Sequence, residues 1–336
     1  MKVAKSYTLV EYLLWTRRNI FVLCLIAIVP VTLYQVFGQK WIAAPWAVAV
    51  VLGTATSFIL GFKNQQTYSR TVEALQVWTA IASVSRYWGL ISRDFPTTPD
   101  ATKTLIYRHL AWLTVLRYSL RSTGRVWESV TNLSNAEYKA KNYSIPERES
   151  PLEAELRKYL PESELKQLAS ENKGVRLMSM QSETLKDLAS RQVLGLSHYI
   201  EMQKTLKDFL DQQNKVERIK NFPYPRQYAT INTLFVWCFI AVLPICLVRE
   251  FDRLNDGVSG ILSGNMVWLT VPFSILISWI YVSLDRVGES TENPFEGGAN
   301  DVPMTQISRA VEIELREILG ETELPPPLRP ENEIIL

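Results

Sequence analysis

Histidine is nearly missing from this 336-residue chain, with two copies, and cysteine (three) and glycine (14) are scarce. His109 and His198 stand far apart, and neither has a cysteine or second histidine at metal-ligand spacing, so no metal centre is implied. No GxGxxG, GxxxxGK, HExxH, CxxC or GxSxG occurs, which removes the usual anchors for dinucleotide, phosphate, zinc-protease, redox and serine-hydrolase chemistry. The carboxylates of "ERESPLEAE" read as a solvated helix start, not an acid/base couple. No enzyme activity and no cofactor are therefore expected. Charge of one sign is also lacking: 36 Lys and Arg face 34 Asp and Glu, and no basic cluster interleaves with aromatics, so no nucleic-acid partner is expected. Cys24, Cys238 and Cys246 fall inside apolar runs, where a thiol behaves as a small hydrophobe, and no disulfide framework follows.

What the chain has in quantity is segregated apolar sequence. Hydrophobic residues make up 47% of it and gather in two blocks, with roughly 160 residues of charged helical sequence between them. Four stretches, 20–37, 41–62, 228–248 and 266–284, each approach the ~20 apolar residues that cross a bilayer at 1.5 Å per residue. The short "GQK" between the first two predicts an antiparallel hairpin. Lys2, Lys5, Arg17 and Arg18 before the first span, with Lys63 and Arg70 after the second, predict cytoplasmic flanks in a cell (inner) membrane. Both termini are then cytoplasmic, and the connection 249–265 lies outside. The N-terminus lacks a small-residue cleavage pattern and reads as retained.

The resulting organisation is an all-α integral membrane protein: an N-terminal segment 1–19, spans one and two over 20–62, a cytoplasmic helical region 63–227, spans three and four over 228–284, and a segment 285–336 whose proline-rich end, "ETELPPPLRPENEIIL", reads as extended and peripheral. Pro30, Pro244 and Pro272 remove backbone hydrogen bonds inside spans and are read as packing kinks. In the middle region apolar periodicity recurs in "TLIYRHLAWLTVLRYSL", "ELRKYLPESELKQLA" and "QVLGLSHYIEMQKTLKDFLDQQNKVERI".

The stretch "SFILGFKNQQTYSR", 57–70, turns from apolar to polar with no turn residue between. Thr54, Phe58 and Phe62 recur every four residues and share a helix face that Gln65 and Ser69 continue. Gly53, Ala55, Ser57 and Gly61 are small enough to let copies of this helix approach one another. Around a common axis the phenylalanines become stacked apolar rings that gate by dewetting. By spacing alone, the same rings packing against the other spans is the favoured reading.

Three motifs in order resemble the bestrophins. "SFILGF" followed by "KNQQTYSR", with Glu73, Ala74, Trp78, Ser85 and Arg86 after it, is similar to the second-span signature LGFRxNQxYxRWWEARxLWG of bacterial members. "ERIKNFPYP", 217–225, resembles the family's entry into the third span, and "ENPFEGGANDVP", 292–303, its segment after the fourth. The resemblance implies a homopentameric ion channel with a central pore, whose neck positions fall on Thr54, Phe58 and Phe62. It implies a second constriction at the cytoplasmic end within 196–202, for which Ser197 and Ile200 are the candidates. Thr71 and Val72 stand where the pattern has paired tryptophans, and Leu75 where it has arginine.

The family's animal members hold calcium on an acidic run after NPF; here the run is "EGGAND", with Glu296, Asn300 and Asp301, and hard cations want several converging oxygens, so no calcium gating is expected. Phenylalanine presents a positive edge and a negative face, which leaves both ion signs open. Lys63 just below the neck, with Gln65 and Ser69, tips the expectation toward anions, chloride favoured, unless Lys63 is a headgroup anchor. A monovalent-cation channel of the same architecture, and a membrane-anchored scaffold without a conducting pore, are the alternatives. A secondary transporter is disfavoured by the absence of charge inside the four spans.

Overall fold

The computed structural model describes residues 1–96, 98–123, 132–168, 172–257 and 263–336. Helices account for the regular structure among them, and the only pairing outside helices is in isolated bridges at the chain ends. In chain order the helices are α1 (Leu9–Gln35), α2 (Trp46–Asp94), α3 (Pro99–Arg121), α4 (Leu133–Asn142), α5 (Pro146–Glu149), α6 (Leu152–Leu156), α7 (Glu162–Gln167), α8 (Lys173–Ser190), α9 (Leu196–Asn221), α10 (Arg226–Arg253), α11 (Thr270–Ser290) and α12 (Met304–Ile318). Two compact units emerge: a membrane unit, Lys5–Ser69 with Tyr224–Glu292, and a polar unit, Met1–Ala4 with Arg70–Pro223 and Asn293–Leu336.

Four helices are long and apolar enough to span a bilayer: α1, α2, α10 and α11, the last preceded by a short 3-10 turn from Met266. Each begins or ends differently from the hydropathy reading, for local reasons. Thr8 and Glu11 form a reciprocal capping box, so α1 starts at Leu9, well before the apolar run. The hairpin is longer than "GQK" alone, because a 3-10 turn at Lys40–Ile42 and Pro45 delay α2 to Trp46. Pro30 and Pro244 sit inside continuous helices, whereas Pro272 lies in the first turn of α11, where the missing N–H has no intrahelical partner to lose. Part of the connection expected on the outer side, 258–262, lies outside the described residues.

Inside the membrane unit, Leu23, Leu60, Val236, Ile240 and Val282 bring α1, α2, α10 and α11 into one apolar cluster. Phe239 fills the space over Gly53, where a Cβ would lie 2.9 Å from its ring. Trp279 donates to Thr16 at 3.0 Å, tying α11 to α1.

The polar unit has its own core, in which Trp88, Trp112 and Phe209 surround His109. Trp112 Nε1 donates to Gln213 at 2.9 Å, and His109 Nε2 lies 2.8 Å from the Ser85 hydroxyl. Gly195 is the N-cap of α9, so the helical periodicity of 192–219 is taken up only from Leu196, and Pro161 caps the start of α7 after α6 has ended at Leu156. The C-terminal segment is not peripheral at its end. Ile334 and Leu336 are buried with Tyr143 and Ile145, Val3 N donates to the Glu333 carbonyl, and Gln306 N donates to the Leu336 carbonyl. An apolar last residue gains more from that burial than from an extended, solvated tail.

Burial depresses His109 to about 3, so it stays neutral in the folded protein. The unfolded chain, with an ordinary histidine near 6.5, binds the extra proton first, and stability is therefore lost as pH falls from that value toward about 3. We expect His109→Gln, which keeps a partner for Ser85, to flatten the wild-type fall in melting temperature over that window. Parallel melting curves against pH for the two proteins check it, and identical slopes would remove His109 from the cause.

Candidate functional site

One face of α2 in the membrane unit is left open by the helices packed against it. Phe58 and Phe62 are 68% and 69% exposed, values far above those of the packed face, and Thr54, Gln65 and Ser69 are exposed beside them. Thr54 returns its hydroxyl to the Val50 carbonyl at 2.8 Å, which is how a threonine sits in an apolar helix without an outside partner. The opposite face, with Gly53, Thr56, Leu60, Lys63 and Thr67, is buried. Positions 58 and 60, or 60 and 62, differ by about 200° around a helix, so burying Leu60 turns both phenylalanines outward. Thr54, Phe58, Phe62, Gln65 and Ser69 are thus brought onto one surface, as their spacing predicts.

Lys63 is the exception among the expected site residues. Its side chain is not on the open face and does not reach toward a membrane surface: it is 3% exposed and donates to Asp285 Oδ1 at 2.5 Å and to the Asp285 carbonyl at 3.3 Å. A charge buried with its counter-charge projects little field, so both the electrostatic and the anchor reading of Lys63 are corrected. The sequence reading missed Asp285 because it lies one residue past the apolar run 266–284, while α11 continues unbroken to Ser290.

The pair is part of a seam between α2 and α11. The Ser57 and Tyr281 hydroxyls lie 2.7 Å apart, Asn64 approaches Gly288, and Thr291 donates to Thr67 at 3.2 Å. Partner numbers rise together along both helices, so the two run parallel. Gly288 has a steric reason to be glycine: a Cβ there would lie 2.7 Å from Asn64 Oδ1 and 3.2 Å from Lys63 Cε.

Ser197 and Ile200, the candidates for a second constriction, lie in the first turn and a half of α9 in the polar unit, both exposed, with Leu196 exposed beside them. In the same unit Asp301 is buried. Its Oδ2 accepts from the N–H groups of Gly297 and Gly298 at 2.8 Å each and lies 3.9 Å from Arg121. Arg121 donates to the Phe295 carbonyl at 3.1 Å and lies 3.8 Å from Glu147, which accepts from Thr305 at 2.7 Å. Burial holds the Asp301 carboxyl above the ordinary range despite these partners and lowers Arg121 from its usual value. Among the described residues no group of three or more His, Cys, Asp or Glu is placed to hold a metal ion.

Residues 13–317 match the family described as Bacterial/Fungal Bestrophin protein. The chain belongs to the bestrophin family. Among its curated relatives, the voltage-dependent anion channel-forming protein YneE of Escherichia coli K12 is 27% identical over 302 residues, 89% of this chain and 84% of that protein. The voltage-dependent anion channel-forming protein mll4386 of Mesorhizobium japonicum is 23% identical and covers 83% and 76% of the two chains. The crystal structure of a bacterial bestrophin homologue from Klebsiella pneumoniae shares the fold, with a TM-score of 0.74 at 24% identity over 91% of this chain and 99% of that one. This bestrophin therefore has the family's architecture of four transmembrane helices with a helical polar unit. Its "SFILGF" signature opens on Ser57 and is followed directly by Lys63, so the seam with α11 runs along that motif.

Proposed function

We propose that this bestrophin is an ion channel in which five copies of α2 surround an axis, with Thr54, Phe58 and Phe62 lining an apolar neck. The observation that carries the reading is the open aromatic face of α2. Two phenylalanines one turn apart, each about two-thirds exposed on a helix whose opposite face, with Gly53, Thr56, Leu60, Lys63 and Thr67, is buried, need a partner surface or a common axis. A neck of stacked apolar rings passes ions by wetting and closes by dewetting, which needs no bound cofactor. Gln65 and Ser69 continue the path with uncharged polar groups.

Anions, chloride favoured, are the proposed cargo, and the support is the anion-channel description of relatives that align over more than 80% of this chain. A monovalent-cation channel of the same build stands as a second reading, because the Lys63–Asp285 pair removes the charge that would have favoured anions. The termini are proposed to be cytoplasmic in a bacterial inner membrane, from the Lys and Arg flanks. Ser197 and Ile200 are proposed for a second constriction. Asp301 is proposed to act as a cap for the glycine loop, without calcium gating.

The test is a recording. Purified protein in planar bilayers under asymmetric KCl is expected to give ohmic current that reverses near the chloride equilibrium potential, unchanged on adding a calcium chelator. Reversal near the potassium potential selects the cation reading, and a silent bilayer with folded, inserted protein defeats the channel.

A further inference from the structure

The Lys63–Asp285 pair poses a physical question, because a lysine and an aspartate are costly to hold inside a membrane unit when two leucines would pack there. Apolar contacts such as Leu60 with Val282 tolerate small rotations and slips of one helix along another. An ion pair has a narrow geometry and a steep penalty for leaving it, which makes it a register device. Its position suits that use: Lys63 directly follows Phe62, so turning α2 by one residue, about 100°, would break the pair and swing both phenylalanines off the open face. The surroundings are shaped to hold it. The lysine stem runs over Gly288, where a side chain would lie 3.2 and 3.3 Å from its Cε and Cδ, and the Asp285 carbonyl accepts a second hydrogen bond from Nζ.

We propose that Asp285, acting through Lys63, is a positioning residue that fixes the rotation of α2 and thereby the direction of Phe58 and Phe62. The consequence for conduction rests on the channel reading above, whereas the rotation itself does not. Thr67 and Thr291, one turn below the pair with hydroxyls 3.2 Å apart, offer a direct readout of register. With Cys24, Cys238 and Cys246 replaced by alanine, the double variant Thr67→Cys/Thr291→Cys is expected to form a disulfide under mild oxidation in detergent.

Three changes are then placed in that background: Asp285→Asn, the apolar pair Lys63→Met/Asp285→Leu, and the exchange Lys63→Asp/Asp285→Lys. Cross-linking of the assembled protein is expected to fall roughly tenfold in the first two and to return to near the parent level in the exchange. Single-channel conductance of the same three changes, made without the added cysteines, is expected to follow the same order. The apolar pair keeps the test sharp if Asp285→Asn fails to fold, because it leaves no stranded charge. Parent-level cross-linking in the apolar pair overturns the proposal, as does an exchange variant that restores nothing or does not assemble. A silent wild-type protein defeats the channel reading and leaves the cross-linking yields to decide this one.

Discussion

Phe58→Ala and Phe62→Ala are expected to raise single-channel conductance, with the double variant above either alone. Each substitution replaces a ring of aromatic side chains by methyl groups, which widens the neck and lowers the cost of keeping it wet. A barrier lowered by about 1 kcal/mol corresponds to roughly a fivefold larger current. Because both side chains are about two-thirds exposed in the protomer, their loss should scarcely disturb its packing, and assembly by size-exclusion chromatography should match wild type. Currents unchanged in both singles and in the double would take these residues out of the ion path. The open face of α2 would then be a surface for lipid or for a neighbouring chain.

Arg121→Met is expected to be the most damaging single change in the polar unit. Its guanidinium lies within 4 Å of two buried carboxylates, Glu147 and Asp301, and serves the Phe295 carbonyl. Removing one partner from a buried charge cluster typically costs about 3–5 kcal/mol, and here Asp301 loses its guanidinium while Glu147 keeps Arg117 at 3.3 Å. Methionine fills much of the volume, so the loss isolates charge more than packing. Denaturant or thermal unfolding of the purified protein measures it. Adding Asp301→Asn should recover part of the loss, because the carboxylate that has lost its guanidinium is removed with it. A fall under about 1 kcal/mol would mean that the two carboxylates are satisfied by groups other than Arg121.

The two effects differ in how visible their causes are in the sequence. The phenylalanine face was legible, since a four-residue spacing inside an apolar run places Thr54, Phe58 and Phe62 on one stripe whatever surrounds the helix. The Arg121 cluster was not. Arg121, Glu147 and Asp301 come from three separate stretches, and nothing local marks any of them as buried. Lys63 shows the same limit from the other side. A lysine that ends an apolar run carries the pattern of a snorkelling anchor, and its actual partner lies 222 positions along the chain. The tail likewise reads as extended from "PPPLRP", yet two residues at its end are buried with Tyr143 and Ile145.

What the sequence by itself determined is the set of properties that depend on neighbours along the chain. Four apolar runs long enough to span a bilayer, the helical periodicity between them, the missing catalytic signatures and the aromatic stripe on α2 all follow from local composition and spacing, because the bilayer thickness and the helix repeat are fixed lengths. The tertiary structure alone decided which face of α2 is spent on the protomer and which charges are cancelled inside it. Those outcomes depend on Asp285 meeting Lys63, Tyr281 meeting Ser57 and Gly288 meeting Asn64 across a parallel seam, and a pairing between distant segments is settled by packing rather than by anything either segment carries on its own.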